Sequence, residues 1–257
     1  MNTVISMLLQ IVCTFFTDSI EYAIAYTLLC NVDHIQEYSA EKIAEMANVS
    51  TRSLSNFSKK LGYRNYATLK SGILSTIEVR KMQIANHIQF SDDISLINKI
   101  NALGITEFDK EAFMKSVDKY NEYVSKANKV LIVGAVYPEL LSLHYMEDMI
   151  ISGKMVYAKS LYTDLENIPE DTLVLFISFT GRMYKAQYHR IKEMRENNIV
   201  IFGIGNKDSL TDGIKLDGFI ELPFNVDAEE ENAVLPLVLQ YAKLRYIEVE
   251  GKKYVGL

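Results

Sequence analysis

The spacing of apolar residues changes character part-way along the chain. In roughly the first eighty residues they recur every three or four positions, which is typical of amphipathic helices. From Ala112 onward, short continuous runs of Val, Ile and Leu alternate with helical segments. Strands of that kind are buried on both faces, as in a parallel sheet covered by helices. The pattern therefore predicts two domains of the α plus α/β class: an all-helical domain, then a doubly wound, mostly parallel α/β domain.

Three helices are predicted in the first part from their start and stop signals. Asp18, with Glu21 three residues later, suggests a reciprocal cap on the first helix, and Ser39 caps the second. Ser50 caps the third helix, which ends before Gly62. The core-facing residues expected on the three helices are Ile20, Ala23, Ile24, Thr27 and Leu28; Ile43, Met46 and Ala47; and Leu54, Phe57 and Leu61.

The second and third helices, joined by the short connection Asn48-Val49, have the pattern of a helix-turn-helix. The outer face of the third helix is small, polar and basic. Arg can bind guanine bidentately, Asn can bind adenine, and a capped helix start offers N–H groups to a phosphate. A plain helical bundle has a similar periodicity and is the alternative. The residues expected to contact DNA are Ser50, Thr51, Arg52, Ser53, Ser55, Asn56, Lys59, Lys60 and Arg64.

The charge distribution favours a nucleic-acid partner, although the net charge is −6. Between Ser50 and Lys81, seven Lys and Arg residues stand against the single carboxylate Glu78, which gives +6. From Ser91 onward, 19 Lys and Arg stand against 26 Asp and Glu, which gives −7. A local positive patch attracts phosphates even in an acidic protein. The competing interpretation is a set of solvated helix faces.

The apolar N-terminal run VISMLLQIVCTFF is about 13 residues long, whereas a membrane span needs about 20. It also lacks the positive n-region and the cleavage site of a signal peptide. We expect a buried helix or a dimer-forming segment, with membrane insertion the lesser alternative. Two cysteines, Cys13 and Cys30, are too few for a disulfide framework and suit a reducing cytosol. A cytoplasmic protein with no membrane partner is expected.

Five strands are predicted in the second part, at 129–134, 154–158, 171–178 and 199–205, with a short edge strand at 218–223. Helices are expected between them, and a closing helix from Glu229 to Val249. From Ile77 to Lys110 the pattern is helical but interrupted, as in a linker. The predicted division is a helix-turn-helix domain (1–76), a helical linker (77–110) and an α/β domain (111–257).

Ligands of such a sheet bind beyond the carboxyl ends of the strands, at the switch point of the topology. The loops at 134–138 and 178–182 follow two of the predicted strands. In the second loop, Ser178, Thr180 and the following helix start supply hydroxyl and N–H donors suited to a phosphate. A capped strand-to-helix turn would explain the same residues. The segment 202–208 lacks the third glycine of a dinucleotide-binding motif, which argues against that cofactor.

Residues 38–70, YSAEKIAEMANVSTRSLSNFSKKLGYRNYATLK, resemble the helix-turn-helix of the RpiR/MurR transcription regulators. The shared features are the IAEMANVS turn, the F-x-KKLG-Y helix end and the aromatic residue followed by LK. That family commonly has Arg before the Phe, where this sequence has Asn56, and Arg52 lies one turn earlier. The resemblance implies a DNA-binding transcription regulator. One helix-turn-helix reads few bases, so a homodimer or a dimer of dimers on a double-stranded, pseudo-palindromic operator is expected.

The segment LVLFISFTGRMYKA, with IPED before it, is similar to the sugar isomerase (SIS) domain that follows this helix-turn-helix in RpiR-type regulators. The resemblance implies a phosphosugar effector held by the loops after two strands. The sequence departs from the family in the run Ala135-Val136-Tyr137-Pro138, where a Ser usually follows the glycines. It also has Met183 where Thr or Ser is usual, and Lys185 where an acidic residue is frequent. The expected effector-site residues are Gly134, Ala135, Ser178, Thr180, Gly181 and Arg182.

An isomerase on this fold needs a general base over the sugar carbons. The candidates are His144, His189 and the carboxylates Glu229, Glu230 and Glu231. We expect His144 to be packed or partly buried in an apolar helix, His189 to be exposed, and the glutamates to form the acidic first turn of the last helix. The sequence has no carboxylate–histidine pairing, metal-ligand spacing or nucleophile motif, so we predict a protein that is not an enzyme and uses no cofactor. The resemblance to RpiR-type regulators implies a regulator of carbohydrate metabolism. The alternatives are a sugar-phosphate isomerase and a regulator whose degenerate SIS domain serves only in dimerisation.

Overall fold

The computed structural model describes residues 3–14, 17–88, 93–106, 108–160, 165, 168–210, 212–222 and 228–251. Seven helices come first: α1 (Thr3–Thr14), α2 (Ile20–Cys30), α3 (Ala40–Met46), α4 (Thr51–Lys60), α5 (Tyr66–Ile88), α6 (Asp93–Ala102) and α7 (Lys110–Lys126). The α/β elements follow: β1 (Lys129–Gly134), α8 (Val136–Leu141), α9 (Leu143–Ile151), β2 (Met155–Ser160), β3 (Thr172–Ser178), α10 (Arg182–Ala186), α11 (Tyr188–Glu196), β4 (Val200–Gly205), β5 (Gly218–Glu221) and α12 (Ala228–Tyr246). A π-helical turn, Ile247–Gly251, extends α12.

The five strands form one parallel sheet in the order β2-β1-β3-β4-β5. The strand order reverses at β1, so the switch point lies at the carboxyl ends of β1 and β3. Every residue of β3 is buried, as expected of a central strand covered by helices on both faces. The predicted fold class is therefore confirmed, including the edge strand, which pairs in parallel with β4.

The start signals of α3 and α4 are confirmed, and that of α2 is corrected. The Ser39 and Ser50 side chains each accept the backbone N–H three residues later, at 3.2 and 3.0 Å. At α2 the cap is Ser19 instead of Asp18. Ser19 is the extended residue directly before the first turn, and its hydroxyl accepts the N–H of Tyr22 at 3.1 Å. Such a bond satisfies a donor that the helix itself leaves unpaired.

The predicted core stripes of these helices are wrong at two helix ends. Ile20, the first residue of α2, is 53% exposed, and Met46, the last residue of α3, is 37% exposed. Ala25 and Ala44 are buried instead. A terminal residue projects beyond the neighbouring helix, so the burial shifts to positions inside each helix. The positions confirmed as buried are Ile24, Leu28, Ile43, Ala47, Leu54 and Phe57, while Ala23, Thr27 and Leu61 are half-buried.

The apolar N-terminal run forms helix α1, which is buried as predicted. Its residues Val4, Ile5, Leu8, Leu9 and Val12 are each at most 3% exposed. α1 contacts α2 and α5, and it also contacts β2 and α9. It therefore joins α2–α5, which we call the head, to the α/β part. No helix in the described ranges combines the length and the hydropathy that a membrane span requires.

The head ends in one long helix. α5 is a continuous helix of 23 residues and runs without a break through residue 76, where the sequence suggested a boundary. Leu69 and Ile73 in its first half are buried in the head, and Ile84 in its second half is buried as well. α5 contacts both α4 and α9. It therefore links the helix of the expected DNA-binding face directly to the α/β part.

Candidate nucleic-acid interface and ligand site

Helix α4 has one buried side and one polar side. Leu54 and Phe57 are 0% and 3% exposed, and the buried Ser58 hydroxyl donates to the Leu54 carbonyl at 2.9 Å. On the other side, Arg52, Asn56, Lys59 and Lys60 are all exposed. The aliphatic and aromatic anchors fix how α4 sits on the head, so its polar side must face outward. Thr51 is exposed too, whereas Ser53 and Ser55 are half-buried.

Two backbone positions with positive φ shape the surroundings of α4. Asn48 adopts φ 52° in the turn before it, and Gly62 adopts φ 86° directly after it. Residues other than Gly, Asn and Asp rarely adopt this conformation. The Val49 N–H donates to the Ala44 carbonyl at 2.9 Å, which closes the turn between α3 and α4. The structure thus contains the predicted tight turn between two short helices.

The basic residues around α4 fall into two groups. Within the described ranges, the exposed side chains of Arg52, Lys59 and Arg64 make no hydrogen bond or ion pair. Lys60 donates to Glu21 on α2 at 2.6 Å, and this bond lowers the pKa of Glu21. The pair is largely exposed, and exposed pairs contribute little free energy. Lys60 can therefore exchange this partner for a phosphate.

Two cations of the basic segment, Lys70 and Arg80, are half-buried and bound to other parts of the protein, so the segment does not form one continuous patch. The Lys70 ammonium donates to the carbonyl groups of Gln36 and Tyr38, at 2.6 and 2.9 Å. Arg80 is bound to the carboxylate of Asp148 on α9. Neither partner could be found from the sequence, because the partners are far apart along the chain and no local spacing signals them.

The predicted ligand loops lie at the same edge of the sheet. Gly134 is opposite Ile177 in the pairing of β1 with β3, so the loops that begin at Gly134 and Ser178 are neighbours. Ala135 and Thr180 are exposed, while Gly181 is buried and adopts φ 71°. The Arg182 Nε donates to the Thr180 hydroxyl at 3.0 Å. The six expected effector-site residues are thus close to the switch point, as the topology requires.

The Ser178 hydroxyl has a structural partner. It is 4% exposed and accepts the N–H of Met183 at 3.3 Å, which caps the start of α10. The O–H of the same hydroxyl is still able to donate to an anion. Gly205 at the end of β4 lies against this residue, because a Cβ there would be 2.0 Å from the Ser178 carbonyl oxygen. The sequence reasoning considered Gly205 only for a dinucleotide motif and missed this packing role.

Lys159 is a buried cation at this edge that sequence reasoning missed. It lies near the carboxyl end of β2 and is 6% exposed. Its ammonium donates to the Val12 carbonyl of α1 at 3.2 Å and lies 4.6 Å from the ring centroid of Tyr22 on α2. Burial lowers the pKa of Lys159, and the charge of the Glu139 carboxylate on α8 opposes that shift. The available signal was a Lys within the apolar run MVYAKS.

The two candidate histidines lie on helices α9 and α11, and the side chains of the candidate glutamates lie outside the described part of the chain. His144 was expected to be packed or partly buried, but its side chain is 59% exposed and lies at the start of α9. His189 is exposed, as predicted. For Glu229, Glu230 and Glu231 only the helical backbone is described. Among the described residues, no group of His, Cys, Asp and Glu could hold a metal ion.

Residues 9–79 match the model of the helix-turn-helix domain of the rpiR family. This segment contains α4 and its exposed basic side. Residues 9–79 form an rpiR-family helix-turn-helix domain. A relative described as an uncharacterized HTH-type transcriptional regulator in the aarA 3' region of Providencia stuartii is 22% identical over 234 residues. The match covers 86% of this chain and 81% of the relative.

Solved structures resemble this chain over about two thirds of its length or over nearly all of it. The E. coli CFT073 protein c3406 has a TM-score of 0.50 and 12% identity, over 67% of this chain and 92% of that one. The RpiR transcription factor from Sphaerobacter thermophilus (sugar isomerase domain) has a TM-score of 0.47 and 15% identity, over 65% and 90%. The Vibrio vulnificus NanR protein complexed with ManNAc-6P has a TM-score of 0.42 and 14% identity, over 99% and 96%. The likeness to c3406 agrees with the doubly wound α/β fold expected of the second part.

Proposed function

We propose that this protein is a transcription regulator that binds a double-stranded operator in the cytoplasm with helix α4. The observation that carries the proposal is the exposed polar side of α4, with Arg52, Asn56 and Lys59, within a segment that matches the rpiR helix-turn-helix. Arg52 and Asn56 have the functional groups that recognise guanine and adenine edges. Lys59, Lys60 and Arg64 supply phosphate contacts, and Ser50, Thr51, Ser53 and Ser55 line the start of the helix.

The regulator is proposed to act as a homodimer or a dimer of dimers. A single α4 reads only a few base pairs, and two copies related by a two-fold axis read a pseudo-palindrome. The two half-sites are then separated by about one helical turn or a multiple of it. The arrangement of the two heads consequently decides which spacing is bound.

The α/β part is proposed to bind a phosphosugar at the switch point and so to adjust DNA binding in carbohydrate metabolism. Three features support this site: the two neighbouring loops, the free O–H of Ser178 and the αL turn at Gly181 with N–H groups after it. The SIS-type fold of the α/β part also supports a sugar ligand. For a ligand at the switch point to change the affinity for DNA, it must make different contacts in two states of the protein. Helices α1 and α5 connect the two parts and could couple the two sites.

We propose that the protein is not an enzyme. The relative from Providencia stuartii, which matches over most of both chains, is described as a transcriptional regulator. Two alternatives are kept. A sugar-phosphate isomerase would convert a hexose or pentose phosphate and would not retain DNA. A degenerate SIS domain that serves only in dimerisation is favoured by one observation, since the Ser178 hydroxyl already caps α10. In that case sugar phosphates would cause no thermal shift.

The proposal is tested by fluorescence anisotropy with duplex DNA from beside the protein's own gene and with a random duplex of equal length. We expect affinity for the first duplex to be at least about tenfold higher, since specific binding generally exceeds non-specific binding by far more. A parallel thermal-shift screen with sugar phosphates tests the effector. Equal affinity for both duplexes together with turnover of a sugar phosphate would support the isomerase instead.

A further inference from the structure

Arg80 on α5 makes a buried ion pair between the head and the α/β part. Its Nε donates to one carboxylate oxygen of Asp148 on α9 at 2.7 Å, and its Nη2 donates to the other at 2.9 Å. The Asp148 side chain is 0% exposed and the Arg80 side chain 12%. Arg80 Nη1 also donates to Gln83 at 2.8 Å, which holds the guanidinium plane from its own helix. The fork geometry fixes both the distance and the angle between the two helices.

The side chains around Asp148 favour the bidentate contact of an arginine guanidinium at this position. Lys243 on α12 is 3% exposed and binds the Oδ2 atom of the same carboxylate. The Nε2 atom of His144 lies 2.6 Å from Arg80 Nη2, so His144 must be neutral and accept there. Glu147 beside Asp148 is turned to the Ser6 hydroxyl of α1. Because Lys243 already neutralises Asp148, the carboxylate does not need Arg80 for charge balance.

A buried ion pair of this kind is weak evidence for stability, and its best-attested use is to fix one register between elements. Here the two elements are α5, which supports α4, and α9, which follows α8 and the Gly134 loop. Leu69 is one of the residues of α5 that are buried in the head, and Arg80 lies eleven residues after it. Eleven residues span about 16 Å along a helix. A tilt of about 10° at Arg80 would move the head by about 3 Å, roughly one base-pair step.

We propose that Arg80 is a positioning residue for DNA recognition: it fixes α5 on α9, and thereby the direction in which α4 is presented, without contacting DNA. The inference rests on the proposed DNA-binding function. Arg80 belongs by sequence to the basic segment, yet its guanidinium is occupied on the side of α5 that faces the α/β part. Its loss should therefore leave the reading of one half-site intact and disturb the spacing between two half-sites.

The test uses the full-length protein and duplexes that the wild type enriches from a random pool. Arg80→Met removes the two guanidinium hydrogen bonds to Asp148 and keeps an unbranched side chain. Arg80→Lys keeps the positive charge but cannot make the bidentate contact. Lys81→Met is the matched control, because it removes the neighbouring positive charge of α5 outside this ion pair. Each variant is titrated with a single half-site, with the selected two-half-site duplex, and with duplexes whose spacer is one or two base pairs longer or shorter.

Wild type and Lys81→Met should prefer the selected spacing by about tenfold or more, as in two-headed binding with matched geometry. Arg80→Met and Arg80→Lys should bind the half-site within about twofold of the wild type and lose most of the spacing preference. If Arg80→Met does not fold, Arg80→Lys alone decides, since it retains the charge and most of the volume.

Three results would overturn the inference. If half-site affinity falls as much as full-site affinity and the salt slope falls by about one, Arg80 is a phosphate contact. If only the melting temperature falls and the spacing preference stays, the pair is structural. If the wild type binds half-sites but shows no preference for their spacing, Arg80 does not position the two α4 helices for a defined spacing. The failure of the proposed function itself looks different, because the wild type then enriches no duplex at all.

Discussion

At the scale of single residues, DNA binding depends on which cations are free to face DNA and which are bound to other parts of the protein. Arg52, Lys59 and Arg64 are exposed. Lys70 and Arg80 belong to the same basic segment but are bound to the loop before α3 and to α9. Charge along the chain is therefore a poor guide to the binding surface. The direction in which each side chain leaves its helix is the better guide.

Arg52 is expected to read a base. Replacing it with Ala should cost about 1–3 kcal/mol on the selected duplex and much less on a random one, because a bidentate base contact is lost. Lys59→Ala is the comparison, and as a phosphate contact it should weaken both duplexes alike. Anisotropy titrations at one salt concentration measure both effects. Equal losses from Arg52→Ala on the two duplexes would mean that Arg52 only contacts phosphates.

Gly205 should be intolerant of a side chain. A Cβ there would be 2.0 Å from the Ser178 carbonyl oxygen, and the backbone adopts φ 147°, so Gly205→Ala should cost about 2–4 kcal/mol of unfolding free energy. Gly62→Ala is the control, since φ 86° is strained there but no atom lies within 4 Å of the Cβ position, and about 1 kcal/mol is expected. Urea unfolding measures both. A smaller loss for Gly205→Ala than for Gly62→Ala would contradict the packing role of Gly205.

At the scale of elements, helix α1 is the part whose role the sequence left open between a buried helix and a dimer segment. Leu8 is 0% exposed, and the helix lies between the head and the α/β part. We therefore expect the two parts to unfold together. The caps of α3 and α4 were predictable because they depend on residues three apart. The placement of α1 against the α/β part was not, because its partners there, such as the Glu147 that binds Ser6, lie more than a hundred residues away.

Leu8→Ala tests the bridging role of α1. The cavity should cost about 2–5 kcal/mol and lower one shared unfolding transition of the head and the α/β part. Gln10→Ala, at an exposed position of the same helix, should change the stability by less than about 0.5 kcal/mol. Calorimetry together with hydrogen exchange in α4 and β1 reports on both parts. Two separate transitions, with only the head affected, would show that α1 does not join them.

The ion pair of α5 and α9 has a definite pH dependence. Hydrogen bonding from Arg80 and the charge of Lys243 outweigh burial and lower the pKa of Asp148 below its unfolded value. Asp148 therefore contributes stability that is present above the unfolded pKa of about 3.9 and is lost as the pH falls through the lower folded value. The stability difference between wild type and Asp148→Asn should shrink below about pH 4. Urea unfolding from pH 3 to 7 measures it, and a constant difference would mean that Asp148 is not paired as described.

At the scale of the whole molecule, the fold class and strand positions were predictable, because continuous apolar runs between helical segments specify a parallel sheet. The edge of the sheet proposed for the ligand could be chosen from topology, because the loops after β1 and β3 meet at the switch point of the described sheet. The contacts between the two parts, including Lys159 with Val12 and Arg80 with Asp148, were not predictable. These contacts depend on how the folded surfaces of the two parts pack together, and no local pattern in the sequence specifies that packing.

The central claim is that the exposed side of α4 binds DNA, and the salt dependence of duplex binding tests it most directly. The affinity for the selected duplex is measured from about 50 to 200 mM salt, a range in which phosphate contacts lower it steeply. Lys59, Lys60 and Arg64 on two heads make up to about six phosphate contacts, which predict a slope of log K against log salt of about −5. The combined change of Lys59 and Arg64 to Ala should make that slope less steep by about two to four. A wild-type slope near zero would contradict the account.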